Sequence, residues 1–215
     1  MNKKEKKQRG ILCLGLFVLA ILLVLTTGCE KDVTQGTIEG YTYEETEEVT
    51  NYVKIVTNKQ EVILIELYPD VAPITVENFQ NLVSSHFYDG LIFHRVIADF
   101  MIQTGDPLED GTGGSEETIK GEFSANGVEN NLSHTKGVVS MARSEDYDSA
   151  SSQFFICVSD DDTYLDGEYA AFGKVIAGYD AVERISKVKT NSTTNKPLQR
   201  QTMETVRFVK VEKAQ

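Results

Sequence analysis

The stretch FHRVIADFMIQTGD, residues 93–106, places one arginine and, eight residues later, one glutamine in a segment that is otherwise mostly apolar. If the segment is a β-hairpin with its turn at the centre, Arg95 lies directly across from Gln103, and Ile97 lies across from Met101. Opposed residues of an antiparallel pair share one face of the sheet. Because polar side chains on an apolar groove are typical of a ligand site, we predict a binding groove on this face. The alternative is an arginine that pairs with a carboxylate on the outside of the fold.

The segments around this hairpin predict a β-rich domain, because alternating or apolar runs are bounded by turn residues. These runs are residues 49–58, 60–69, 137–143, 152–159, 170–178 and 202–213. Helical spacing of apolar residues predicts one helix within residues 73–90, with Thr75 as its N-cap, and a second within residues 178–188. Helices and strands do not alternate in βαβ units, so we expect a mainly β fold: an antiparallel sheet of seven or eight strands closed into a barrel, with the two helices over its open ends.

The first 28 residues have the pattern of a targeting segment. A basic head precedes an apolar run at residues 11–25, which is shorter than the ~20 residues that a membrane-spanning helix needs. The following TTGC resembles the lipobox of bacterial lipoproteins, in which a diacylglycerol is attached to the cysteine. We therefore predict a lipoprotein signal peptide in residues 1–28 and a lipid anchor on Cys29, which places the protein on the extracytoplasmic side of the cell membrane. The alternative is an uncleaved anchor with an incidental cysteine.

The residues that follow predict an acidic tether and one globular domain. Residues 30–48 are polar and lack an apolar period, which is typical of a solvated chain. We therefore divide the mature chain into a flexible tether, residues 29–48, and a domain, residues 49–215. The chain has 33 acidic and 21 basic residues, and since five of the basic and one of the acidic residues precede residue 29, the remainder carries a net charge of −16. So acidic a surface argues against nucleic-acid binding.

The cysteines and acidic clusters predict neither a disulfide nor a metal site in the domain. Cys157 is the only cysteine after Cys29, and we interpret it as a small buried residue. The alternative, a catalytic thiol, lacks a histidine near it in the sequence. The acidic clusters around residues 146–148 and 160–162 lack the Asp-x-Asp-x-Asp-Gly spacing of a calcium loop.

A series of motifs, in this order and with these gaps, resembles the cyclophilin family of peptidyl-prolyl cis-trans isomerases. The motifs are FHRVIADFMIQTGD, GEFSANG, GVVSMAR, SQFFICVS, YLDGEYAAFGKVIAG and the closing strand, and the resemblance spans residues 50–212. It implies a closed eight-stranded antiparallel barrel capped by two α-helices. It also implies isomerisation of X-Pro bonds without a cofactor, a metal ion or a covalent intermediate.

The resemblance implies a role for individual residues. Arg95 would donate a hydrogen bond to the prolyl nitrogen as that nitrogen loses conjugation, and Gln103 and Phe100 would complete the catalytic set. The implied substrate-binding residues are Met101, Ala142, Arg143, Phe155, Tyr164, Leu165 and Tyr169. Many relatives have tryptophan in place of Tyr164 and histidine in place of Tyr169, and eukaryotic relatives usually have asparagine in place of Arg143. The missing tryptophan argues against tight binding of cyclosporin.

These observations together predict a prolyl isomerase that assists the folding of exported proteins at the outer face of the cell membrane. Its partners would be proline-containing polypeptides and, through Cys29, the membrane. No assembly motif stands out, so we expect a monomer. The alternatives are a non-catalytic chaperone or adaptor that binds proline-containing peptides, and a structural surface protein that uses the barrel as a scaffold.

Overall fold

The computed structural model describes residues 33–213, so the predicted signal peptide and Cys29 lie outside the described residues. The strands are β1 (Gln35–Ile38), β2 (Tyr41–Glu45), β3 (Tyr52–Thr57), β4 (Val62–Leu67), β5 (Arg95–Ile97), β6 (Met101–Thr104), β7 (Val138–Met141), β8 (Phe154–Cys157), β9 (Ala171–Ala177) and β10 (Met203–Lys213). The helices are α1 (Pro73–Ser84) and α2 (Tyr179–Ser186), and 3-10 turns occupy Ser124–Asn126 and Asp162–Leu165. No helix within residues 33–213 is long and apolar enough to cross a bilayer.

The strands form one sheet in the order β1-β2-β10-β3-β4-β9-β7-β8-β6-β5, and every pairing is antiparallel. The prediction of a mainly β fold with two helices is confirmed. The sheet has ten strands rather than eight, because an N-terminal hairpin adds two. The chain just before β5 also bonds to the start of β10: the Phe93 N–H donates to the Gln201 carbonyl at 2.9 Å, and the Met203 N–H donates to the Leu91 carbonyl at 2.9 Å.

The predicted flexible tether is wrong for the part of residues 29–48 that forms β1 and β2. These strands pair with each other around a turn in which Gly40 has a φ of +82°, and β2 pairs with the outer half of β10. The alternation in β2 is limited to Tyr41, Thr42 and Tyr43, a run too short to predict a strand, and the hairpin is added to an edge that β10 already provides. Tyr43 is buried against a second apolar cluster on the outer face of the sheet, which includes Val56 and Leu64.

Lys54 is fully buried beneath this hairpin. Its ammonium group lies 2.6 Å from the Glu45 carboxylate, donates to the Val33 carbonyl and lies 5.5 Å from the centre of the Tyr43 ring. A buried charge needs a partner. The hairpin therefore supplies both an apolar cover and a counter-charge to the outer face of β3.

The two helices bury one face each against the main core. In α1 the buried apolar residues are Val76, Phe79 and Val83, as the helical spacing predicts. The predicted N-cap is wrong, because Ala72 precedes the helix and Thr75 lies within its first turn. The Glu122 carboxylate instead accepts hydrogen bonds from the N–H of Ile74 at 3.0 Å and from the N–H and hydroxyl of Thr75 at 2.8 and 2.7 Å. A carboxylate is favourable at a helix N-terminus, and here it comes from a distant loop.

The second predicted helix is confirmed as α2, with Ala181, Val182 and Ile185 buried. It follows Gly178, whose φ is +79° and where a Cβ would collide with the Val62 carbonyl. Glycine is required there because both the left-handed backbone and the close approach exclude a side chain.

Candidate active site

The hairpin of β5 and β6 has the predicted register. Arg95 is paired with Gln103 and Ile97 with Met101, and the turn contains Asp99 with a φ of +57°. Because β6 also pairs with β8, the Arg95–Gln103 pair lies beside Phe155. The alternation of this one hairpin thus places a guanidinium and an amide on the same face as apolar groups.

That face borders a cavity of about 690 Å³. The cavity is lined by all of the predicted catalytic and substrate-binding residues: Arg95, Phe100, Met101, Gln103, Ala142, Arg143, Phe155, Tyr164, Leu165 and Tyr169. The structure therefore brings together residues from β5, β6, β8, the end of β7 and the loop before β9. Their individual roles stay predictions.

The deepest lining residues make an apolar floor. Met101, Phe155 and Leu165 are 1%, 5% and 7% exposed. At the rim, Tyr169 meets Phe155 edge-to-face at 6.0 Å, and the half-buried Phe100 lies 6.0 Å from the exposed Tyr164. A floor of this kind suits a ring without polar atoms.

Arg95 lines this cavity, and its guanidinium bonds to an amide. One Nη1 hydrogen bond, at 3.0 Å, goes to Gln103 Oε1, and the guanidinium carbon lies 5.9 Å from the centre of the Phe100 ring. In the part of the chain that the structure describes, no acidic group forms an ion pair with it, which disfavours the alternative of a surface ion pair. Burial lowers the pKa of Arg95, but the pKa of a guanidinium is so high that the side chain stays charged at neutral pH.

A chain of amides holds the partner of Arg95. Gln103 Nε2 donates to Gln153 Oε1 at 2.8 Å, and Gln153 Nε2 donates to the carbonyls of Gly113 at 2.7 Å and Gly111 at 3.1 Å. These bonds determine which end of the Gln103 amide faces the guanidinium. Gln153 thus positions Gln103, and the resemblance to the family did not imply a role for it.

His134 supports the floor from below. Its ring stacks on Phe155 at 6.1 Å and is 1% exposed, while its Nδ1 and Nε2 lie 2.8 Å from Asp166 and 2.9 Å from Ser140. Burial lowers the pKa of His134 despite the neighbouring carboxylate. The neutral ring packs against Phe155 beneath the apolar floor and has no access to a ligand in the cavity.

Other lining residues come from loops and were missed in the sequence. They are His94, Glu109, Asp110, Gly111, Thr194 and Lys196. Glu109 joins two of these loops, because its carboxylate binds Arg200 at 2.6 Å and Lys196 at 3.4 Å. Ion pairs between residues about ninety positions apart leave no periodic signal in the sequence.

A second cavity, of about 340 Å³, adjoins the first. The two share Gln103, Gly111, Ala142 and Arg143 in their walls. The other lining residues of the second cavity are mostly small or hydroxyl-bearing: Thr112, Gly113, Gly114, Ser115, Thr118, Ser144, Ser149, Ser151 and Gln153.

Cys157 is fully buried and does not line either cavity, as expected for a packing residue. Burial, together with the nearby Asp162, raises the pKa of its thiol, which disfavours a nucleophilic role. Within residues 33–213, no group of three or more His, Cys, Asp or Glu side chains is arranged to hold a metal ion.

Asp162 is a buried carboxylate in the 3-10 turn that carries Tyr164 and Leu165. It is 2% exposed, and its Oδ2 has no hydrogen-bond partner among the described residues. Burial raises its pKa to about 6, although the backbone of Ser159 and the thiol of Cys157 donate to it. The neighbouring titratable groups are Cys157, Asp160, Asp161, Tyr164 and Tyr179.

Comparison with known proteins agrees with this geometry. Residues 52–208 match the family model described as cyclophilin type peptidyl-prolyl cis-trans isomerase/CLD. A peptidyl-prolyl cis-trans isomerase of Acinetobacter baylyi is 44% identical over 138 residues, which are 60% of this chain and 69% of that protein. The isomerase ppi1 of Schizosaccharomyces pombe is 42% identical over 132 residues, which are 61% of this chain and 83% of that protein.

Solved structures share the fold. A Cryptosporidium parvum cyclophilin-type isomerase, crystallised in the presence of the dipeptide Ala-Pro, has a TM-score of 0.66 and 30% identity over 73% of this chain and 98% of its own. The cyclophilin AquaCyp293 of Hirschia baltica has a TM-score of 0.61 and 25% identity over 76% of this chain and 75% of its own. The chain belongs to the cyclophilin-type peptidyl-prolyl cis-trans isomerases.

Proposed function

We propose that this isomerase acts on exported, proline-containing polypeptides at the outer face of the cell membrane, as a monomer that a lipid on Cys29 anchors there. The observation that carries the catalytic part is the placement of Arg95 over an apolar floor, oriented by Gln103. The cellular part rests on the targeting pattern of residues 1–28 and on the lipobox-like TTGC.

The geometry supports the following mechanism of acceleration. Amide resonance keeps an X-Pro bond planar with a barrier of about 18–20 kcal/mol, and this resonance needs the lone pair of the prolyl nitrogen. With the proline ring on the floor of Met101, Phe155 and Leu165, a donor aimed at that nitrogen binds the twisted state and not the planar one. Arg95 Nη2 and Nε donate to no acceptor within residues 33–213, which leaves them free for this bond. Each tenfold of acceleration requires only about 1.4 kcal/mol.

A closed barrel would hold the strands of this site in place. We propose that β3 to β10 form the closed eight-stranded barrel, with β1 and β2 as an addition outside it. The support is the bridge between Ile92 and Thr202 together with the backbone bonds from residues 90–93 to residues 201–203. Closure would protect the edges of β5 and β10 from pairing with another chain.

The N-terminal hairpin shortens the proposed tether. Only residues 30–34 separate Cys29 from the first residue of β1, and five residues span at most about 18 Å. The catalytic domain would therefore lie close to the lipid headgroups. It would bind client chains where they emerge from the membrane.

A labelling experiment tests the anchor. In cells fed an alkyne-tagged fatty acid, the full-length protein should take up the label and Cys29→Ser should not, because the acylated thiol is gone. Cys13→Ser is the matched control and should keep the label. Labelled Cys29→Ser protein would contradict the proposal.

An isomerisation assay tests the activity. The full-length protein in detergent should accelerate the cis-to-trans conversion of a proline-containing peptide in a coupled assay. A chaperone or adaptor without catalysis would bind the same peptide and leave the rate unchanged, and a structural surface protein would do neither.

A further inference from the structure

Arg143 lies two residues beyond the end of β7 with its guanidinium among three aromatic rings. The guanidinium carbon is 4.7 Å from the centre of the Tyr169 ring, 4.8 Å from Tyr147 and 5.2 Å from Phe123. The side chain is only 10% exposed. A cation held over the faces of aromatic rings is attracted to them, more strongly where water is excluded.

The donors of Arg143 are largely occupied within the protein. Its Nε donates to the Glu168 carbonyl at 3.1 Å, its Nη1 donates to the Ser144 carbonyl at 2.8 Å, and its Nη2 lies 3.4 Å from the Glu168 carboxylate. A guanidinium bound in this way has little left to offer a substrate. It instead ties the loop after β7 to the loop that carries Glu168 and Tyr169.

Tyr169 needs such a restraint. It lies at a bend between the turn at residue 165 and β9, outside any helix or strand, and it is partly exposed. One side of its ring meets Arg143 at 4.7 Å, and its contact with the cavity floor is the edge-to-face packing on Phe155 at 6.0 Å. The position of this cavity wall therefore depends on the guanidinium.

Arg143 also stands between the two cavities, since it lines both. Its planar side chain closes the wall that an alanine would leave open. The second cavity is bounded mainly by hydroxyls, glycines and amides, so its closed form suits a small polar side chain.

We propose that Arg143 is a positioning and specificity-determining residue: it holds the Tyr169 ring against the proline cavity and separates this cavity from the second one. The isomerase thereby favours peptides that carry a small polar side chain near the proline. This inference rests on the isomerase activity of the site and concerns its substrate selection.

The test is a double-mutant cycle on kcat/KM with Arg143→Ala and Tyr169→Ala. If Arg143 acts through Tyr169, Arg143→Ala raises KM about three- to tenfold with kcat within a factor of about two, and adds less than about twofold in the Tyr169→Ala background. Tyr164→Ala is the matched control, because Tyr164 lines the same cavity next to Phe100 but is not one of the three rings around Arg143. Its effect should therefore multiply with that of Arg143→Ala.

Peptides with serine or leucine next to the proline supply a second readout. The ratio of kcat/KM for serine over leucine should fall at least threefold in Arg143→Ala, because the wall is opened. Arg143→Met keeps the packing without the charge, and it replaces Arg143→Ala in the double-mutant cycle if Arg143→Ala does not fold. Multiplicative effects of Arg143 and Tyr169, or an unchanged serine-to-leucine ratio, would overturn the proposal, whereas absence of activity in the unmodified protein would overturn the proposed function itself.

Discussion

At one end of the sheet, β5 and β6 bury apolar side chains and present Arg95 and Gln103 to a cavity, whereas at the other end β1 and β2 are polar and bury mainly Tyr43. Both pairs are antiparallel hairpins. The first hairpin is part of the core and therefore needs apolar alternation. The second joins an existing edge and needs only backbone pairing and one aromatic anchor, so a polar sequence suffices.

The substitution with the largest expected effect lies at the cavity end of the sheet, and it lowers catalytic activity. Arg95→Ala removes the donor to the prolyl nitrogen, and kcat/KM should fall about 10²–10³-fold in the peptide assay, the loss expected for one charge-assisted bond to a transition state. The midpoint of thermal unfolding should stay within about 3 °C, because Arg95 is only half-buried and makes no ion pair.

Arg207→Ala provides the matched control for this change. Arg207 binds Asp89 at 2.7 and 2.8 Å away from both cavities, so its loss should lower stability and leave kcat/KM within about twofold. Turnover of Arg95→Ala close to that of the unmodified enzyme would refute the role assigned to the arginine.

The substitution with the next largest expected effect lies in the hairpin of β1 and β2, and it lowers stability. Tyr43→Ala removes a buried ring from the outer apolar cluster and loosens the cover over Lys54, and we expect the free energy of unfolding to fall by about 2–3 kcal/mol. Well below the unfolding transition, kcat/KM should be unchanged, because the hairpin lies at the opposite end of the strand order from β5.

Thr42→Ala is the control on the same strand, since Thr42 is exposed, and denaturant unfolding should show a change below about 0.5 kcal/mol. Equal stability losses for the two variants would contradict the anchoring role of Tyr43. A specific loss of activity in Tyr43→Ala would show that the two ends of the sheet are not independent.

A smaller effect should come from Asp162 beneath the cavity rim. Burial raises the pKa of Asp162 in the folded state to about 6, above the ordinary aspartate value of about 3.9, so the unfolded chain releases the proton more readily. Folding stability is therefore lost as the pH rises from about 4 to 6 and stays lower above that range. Asp162→Asn removes this dependence and should be more stable by about 1–2 kcal/mol at pH 7.5.

The measurement is denaturant unfolding of Asp162→Asn and the unmodified protein from pH 4 to 7.5. The difference between them should shrink toward pH 4, where the folded aspartate is protonated and the unfolded one is about half protonated. A difference that does not depend on pH would contradict a buried, ionising carboxylate at this position.

The sequence by itself determined the strands β3 to β10, both helices and the pairing of Arg95 with Gln103. Periods of two and 3.6 residues follow from backbone geometry, so an apolar pattern shows which face a residue occupies without knowledge of its partner. Resemblance to the family added the cavity residues, because the motifs carry them in a shared order.

Only the tertiary structure decided the hairpin of β1 and β2, the burial of Lys54, the cap that Glu122 gives to α1 and the position of Arg143 among three rings. Each of these depends on a partner in another part of the chain, and polar residues suit water as well as they suit such a partner. Local pattern therefore does not distinguish the two environments, and only the path of the folded chain selects between them.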